Sequence, residues 1–146
     1  MFGSSRNPAQ AYAKVGLETG VIAASPHKLI AMLFEGALVA ILKAENHMRA
    51  GEIIEKGRAI SHAMNIINQG LRASLNHKEG GKIADNLEAL YVYMSERLSQ
   101  AHVQNNPALL QEVYKLLYDL KSAWDTIDPK GQTATASANS QATALT

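Results

Sequence analysis

Four interruptions, at Ser25-Pro26, Gly51, Gly80-Gly81 and Asn106-Pro107, divide this chain into stretches whose apolar residues recur at three- and four-residue spacing. That periodicity is helical. Ser25 offers an N-cap oxygen and Pro26 fits the first turn of a helix, where its missing N–H costs nothing. The helix they start is expected to run to about Ala50, with Gly51 marking its end, and Leu29, Ile30, Leu33, Phe34, Ala37, Ile41, Ala44 and Met48 form its core stripe. A second helix, from Glu52 to about Leu75, is expected to place Ile53, Ile60, Met64, Ile67 and Leu71 on one face, with Arg58, His62, Asn65, Gln69 and Arg72 opposite. The Asn76 to Gly81 segment breaks the pattern before a third helix, whose shared face is Ile83, Leu87, Leu90, Tyr91, Met94, Leu98 and Ala101 and whose end falls near Gln104. Asn106-Pro107 repeats the cap-plus-proline signal and opens a fourth, with the stripe Leu110, Val113, Leu117, Leu120 and Trp124.

Links this short join only antiparallel neighbours, so the expected fold is all-α, an antiparallel up-down-up-down four-helix bundle. Residues 25–128 make the bundle. Residues 1–24 are read as an N-terminal segment with a short, weak helix packed on it, because Tyr12, Val15 and Leu17 stand among small residues with Gly16 and Gly20. Residues 129–146, rich in Ala, Thr, Ser, Gln and Asn with Leu145 as their one large apolar side chain, are expected to be a disordered polar tail.

The first helix carries more apolar surface than a bundle core uses. Met32, Val39 and Leu42 fall on its far side, interleaved with Lys28, Glu35 and Asn46. Val92 and Tyr93 fall off the stripe of the third helix in the same way. Such groups stay wet, are covered by another part of the chain, or meet a partner. With 14 basic and 13 acidic residues the formal net charge is +1, so no electrostatic footprint for nucleic acid or an anionic membrane is present, and apolar contact must dominate binding. The chain has no cysteine, which removes disulfides, thiol catalysis and thiolate metal sites and is compatible with a reducing compartment. Residues 1–10 lack the apolar run of a signal peptide, and no stretch reaches the roughly 18 to 20 apolar residues of a membrane span. An intracellular protein without membrane insertion is expected.

No catalytic or cofactor pattern emerges. Di-iron bundles need a Glu with His three residues later on each of two helices, and no Glu here has one. A phosphotransfer bundle needs an exposed reactive histidine; His62 is the candidate, but Asn65 and Ile66 stand where that class usually has lysine and glycine. Gly80-Gly81 lacks the lysine and spacing of a P-loop. No enzyme activity, metal or cofactor is expected. The rival readings are a histidine phosphotransfer bundle and a generic helical adaptor for another client.

Tyr12, Ala24-Ser25-Pro26, Lys28-Leu29-Ile30, the run Met32 to Ala37, Asn86-Leu87, Leu90-Tyr91 and Ala123-Trp124 together resemble the flagellar export chaperone FliS family from about Tyr12 to Ile127. Phe34 stands where a tyrosine is common, which removes a hydroxyl and keeps the packing. The resemblance implies a cytoplasmic chaperone that binds the C-terminal segment of flagellin, prevents its premature polymerisation and helps hand it to the flagellar export apparatus. It also implies an N-terminal segment, with Tyr12 as the matching residue, that occupies part of the binding surface when no client is present. Tyr12, Met32, Val39, Leu42, Val92 and Tyr93 are the expected client-binding residues.

Overall fold

The computed structural model describes residues 25–127. Within them, α1 spans Pro26–Arg49, and α2 spans Ile53–Asn65 and continues through a π-helical turn, Ile66–Leu71, into a 3-10 turn, Arg72–Ser74. α3 spans His77–Gln104 and α4 spans Pro107–Thr126. The expected N-terminal helix, Tyr12 and the tail from Pro129 lie outside the described residues.

Side-chain oxygens make the starts of three helices abrupt. Ser25 Oγ accepts from the Lys28 N–H at 3.1 Å, Asn76 Oδ1 from that of Glu79 at 3.1 Å, and Asn106 Oδ1 from that of Ala108 at 3.0 Å. Each satisfies a donor that the first helical turn leaves free. α1 ends where Gly51 takes a φ of 75°, and α3 ends where Asn105 takes a φ of 53°, both in the left-handed region that glycine and asparagine tolerate best. α1 packs on α2 and α4, and α3 packs on the same two helices from the other side, so α1 and α3 face each other across the diagonal of a bundle. Its centre is filled by Ile41, Ile67, Met94, Leu98, Leu110 and Leu117.

The observed stripes follow the expected ones, with two exceptions that have physical causes. Ile53 was expected in the core and is 69% exposed. Lys56, one turn on, takes the last buried layer instead; its Nζ donates to the His102 carbonyl at 3.1 Å and to Asn105 Oδ1 at 3.0 Å, capping the C-terminus of α3. An ammonium there meets the negative end of the helix dipole, and Ile53 is left beyond the end of its neighbour. Ile83 was also expected on the core face and is 51% exposed, while Ala84 is buried. Gly81, with a φ of 52° and a ψ of −127°, breaks α3 after its first turn, but Ile83 lies beyond the break: it is exposed because it lines a space at this end of the bundle that no side chain of the described residues fills. Helix nevertheless begins before the glycine pair, at His77 rather than after Gly81.

The π-turn has a packing role as well. A Cβ on Gly70 would lie 3.0 Å from Leu33 Cδ2, so the absent side chain is what lets the π-turn lie close on α1. Ile66 and Ile67 are both buried there, which a single 3.6-residue stripe does not provide.

Candidate functional site

Met32, Val39 and Leu42 point away from the core of α1 and remain 40%, 39% and 46% exposed. Lys28, Glu35 and Asn46 stand exposed among them, so the outer face is an apolar stripe with polar spacers. It exists because the inner face is already saturated: Leu29, Leu33, Phe34, Ala37, Ile41, Ala44 and Met48 are all buried.

The stripe extends onto α4. Glu35 Oε1 lies 4.0 Å from Lys121 Nζ, and Glu45 Oε2 accepts from Gln111 Nε2 at 2.9 Å. These two contacts set the antiparallel register of α1 on α4 and bring Leu38 and Leu42 level with Tyr118 and Tyr114. The two tyrosine rings are nearly parallel with centroids 6.4 Å apart, and Tyr118 is 54% exposed. Sequence reasoning left Tyr118 unassigned, although it falls off the α4 stripe just as Tyr93 falls off that of α3. The hydrogen bonds from Gln111 and Arg49 hold the Glu45 carboxyl below its usual pKa, so it stays ionised at the edge of this surface.

Val92 and Tyr93 lie elsewhere. Because α1 and α3 are diagonal, the outer face of α3 points away from Met32, Val39 and Leu42. Val92 is half-buried and Tyr93 exposed. The Tyr93 hydroxyl donates to Glu112 of α4, Arg97 sits 5.6 Å from the centre of the tyrosine ring, and Arg97 Nε donates to Glu112 Oε1 at 2.9 Å. The Tyr93 and Arg97 hydrogen bonds lower the pKa of Glu112, and the same tyrosine contact raises that of the Tyr93 phenol. Tyr93 is thus tethered in an α3–α4 clasp. The expected residues form one group on α1 and a separate pair on α3, and a ligand touching both must travel around the bundle.

A further apolar feature was not foreseen. At the end of the bundle where α1 begins and α4 finishes, a cavity of about 500 Å³ is lined by Ile30, Phe34, Leu71, Leu87, Tyr91 and Trp124, among others, and by no charged side chain. Its rim is a reciprocal lock: the His27 and Trp124 rings stack at 4.7 Å, Trp124 Nε1 donates to the His27 carbonyl at 2.9 Å, and His27 Nε2 donates to the Trp124 carbonyl at 2.8 Å. Burial pushes the Tyr91 phenol far above its usual pKa, keeping it neutral. Ile30, Leu87, Leu90 and Trp124 were expected to pack as core, and they are half-buried because no side chain of the described residues fills the space between them. Periodicity shows which way a residue points; it does not show whether the layer it points into is full.

Among the described residues no group of three His, Asp or Glu side chains is placed to hold a metal ion, and no helix is long and apolar enough to cross a membrane. The His62 side chain is exposed, with no hydrogen-bond partner among the described residues. What the surface offers is apolar contact on several faces. A family model described as "Flagellar protein FliS" matches residues 8–131. The chain belongs to this family. It is 46% identical over 121 residues to the flagellar secretion chaperone FliS of Salmonella typhimurium, covering 83% of this chain and 90% of the relative. The FliS chaperone of Vibrio cholerae is 39% identical over 131 residues, covering 90% and 96%, and the FliSB chaperone of Pseudomonas aeruginosa 43% over 116 residues, covering 80% and 91%. FliS proteins are flagellar secretion chaperones and not enzymes, so the phosphotransfer reading of His62 is set aside.

Proposed function

We propose that this FliS protein acts in the cytoplasm, binding the C-terminal segment of flagellin, preventing its premature polymerisation and aiding its delivery to the flagellar export apparatus. The observation that carries the reading is the exposed apolar stripe of Met32, Val39 and Leu42 on the outer face of a helix whose inner face is already buried. The three side chains retain under half of their exposure, so covering them completely yields about 2 to 4 kcal/mol at roughly 1.5 to 3 kcal/mol per full side chain. Association costs an estimated ~4 to 15 kcal/mol, and ordering a flexible client adds to that. One stripe is therefore insufficient. A client that wraps the bundle, adding Tyr118, Val92, Tyr93 and the end cavity to the stripe, gains enough surface. The reading includes residues 1–24 as a separate N-terminal segment in which Tyr12 competes for part of this surface, with residues 25–128 as the bundle and residues 129–146 as a polar tail.

Calorimetric titration with flagellin from the same organism, intact and lacking its C-terminal region, is the direct test. A defined complex with intact flagellin alone is expected; no binding, or binding indifferent to the deletion, refutes the reading. The client should also gain helix, so the circular dichroism of the mixture should exceed the sum of its parts.

A further inference from the structure

The first turn of α3, His77 to Gly80, is separated from the body of that helix by the non-helical Gly81 and joins two walls of the end cavity. Ser74 and Leu75 line the cavity before the turn, and Ile83, Asn86 and Leu87 line it after. One side chain spans the break. His77 Nδ1 lies 2.8 Å from Asp85 Oδ1 and His77 Nε2 lies 2.7 Å from Glu88 Oε1. Ionised carboxylates only accept, so both ring nitrogens must carry hydrogen for both contacts to be bonds, and only the imidazolium has two N–H groups. A neutral ring makes one bond and turns a lone pair on the other carboxylate.

The surrounding charges close the account. From the end of α2, Arg72 Nη2 donates to Glu88 Oε2 at 3.0 Å. With His77 protonated the cluster holds two cations and two anions; without the proton it carries a net negative charge. Lys78, Glu79 and Lys82 are exposed and in no ion pair among the described residues, and no charged group of α1 or α4 pairs with His77 there. We propose that His77 is a pH-sensitive latch: its imidazolium pins the first turn of α3 across the Gly81 hinge and holds the mouth of the end cavity, and loss of its proton releases that turn. The Asp85 hydrogen bond, with a further contribution from the Glu88 charge, raises the His77 pKa above the ordinary 6.5. The sign follows: a group with a raised folded pKa contributes most below its ordinary value, and the contribution is lost as pH rises through the raised one.

The latch stands on this geometry alone, whereas its effect on client binding rests on the function proposed above, and one experiment on the full chain reads the two separately. The His77 ring and the amides of residues 77–82 are followed by NMR across neutral pH. His77 should titrate above the ordinary histidine value, and amide exchange in the turn, corrected for intrinsic pH dependence, should speed up over the same range. Asp85→Asn should move both to lower pH, and His77→Gln should remove the pH dependence while circular dichroism stays unchanged; both side chains are exposed, so neither substitution disturbs the core. Trp124, the only tryptophan, lines the cavity, and its fluorescence should shift with the same midpoint. A His77 midpoint at or below the ordinary value, or turn exchange that ignores it, overturns the latch. Titration with the flagellin C-terminal segment at both ends of the pH range supplies the other arm. Equal affinities there, with the turn still switching, refute the link to the client and leave the latch; no binding at either pH refutes the proposed function only.

Discussion

Two leucine-sized positions on α1, half a turn apart on the wheel, carry opposite duties. Leu33 is buried against the close-packed Gly70, and Leu42 faces outward. Leu33→Asp places a charge where no partner exists and should abolish cooperative unfolding and most helical signal. Val39→Asp and Leu42→Asp should leave the thermal transition within a few degrees of wild type and weaken flagellin binding about tenfold or more, roughly 1.4 kcal/mol. Should Val39→Asp melt the protein as Leu33→Asp does, the division between inner and outer face is wrong. Lys56 is the other residue whose role burial decides. Lys56→Ala removes charge-assisted bonds to the α3 terminus along with a packed stem, and a loss of about 2 to 3 kcal/mol in denaturant unfolding is expected. Lys56→Met keeps the stem and should lose less.

At the scale of the helix, the features that matter are departures from ideal geometry. The π-turn of α2 and the missing side chain at Gly70 let α1 approach closely, so Gly70→Ala must push Leu33 aside and should cost about 1 to 3 kcal/mol, read as a lower urea midpoint at unchanged m-value. The α3–α4 clasp adds a pH dependence of opposite sign to that of His77. Glu112 has a depressed pKa in the folded state, so its contribution is present above the ordinary 4.5 and lost as pH falls through the lower folded value. Urea unfolding from about pH 6 to about pH 3 should show declining stability. In Glu112→Gln the decline should be shallower; the remainder belongs to other depressed carboxylates, Glu45 among them.

At the scale of the whole molecule, the apolar excess of the described residues is spread over several faces, and that distribution suits a long flexible client better than a compact one. The proposed competition from residues 1–24 belongs to this scale. Removing residues 1–16 should raise dye binding or self-association of the free protein while client affinity rises or holds level, because less must be displaced. A truncated protein that is folded by circular dichroism but binds flagellin much more weakly would instead make that segment part of the binding site.

Among the described residues, the four helices, most of their ends and most of their inner faces were legible in the sequence because each depends on local chemistry. Ser25 and Asn106 cap with their own side chains, Gly51 turns because it lacks a Cβ, and a 3.6-residue repeat has one geometric meaning, whereas the Asn76 cap was hidden by the glycine pair that follows it. The outward direction of Met32, Val39 and Leu42 on α1 was legible for the same reason. Family membership was legible too, since the motifs from Tyr12 to Trp124 keep their order along the chain. What lies between helices was decided only by tertiary structure. The displacement of Ile53 by Lys56, the partnership of Tyr93 with Glu112, the placing of Tyr118 beside the α1 stripe and the cavity under Trp124 that no described side chain fills all depend on which helix is the neighbour, at what register, and how much volume the facing side chains supply. A single helix's periodicity contains none of those quantities.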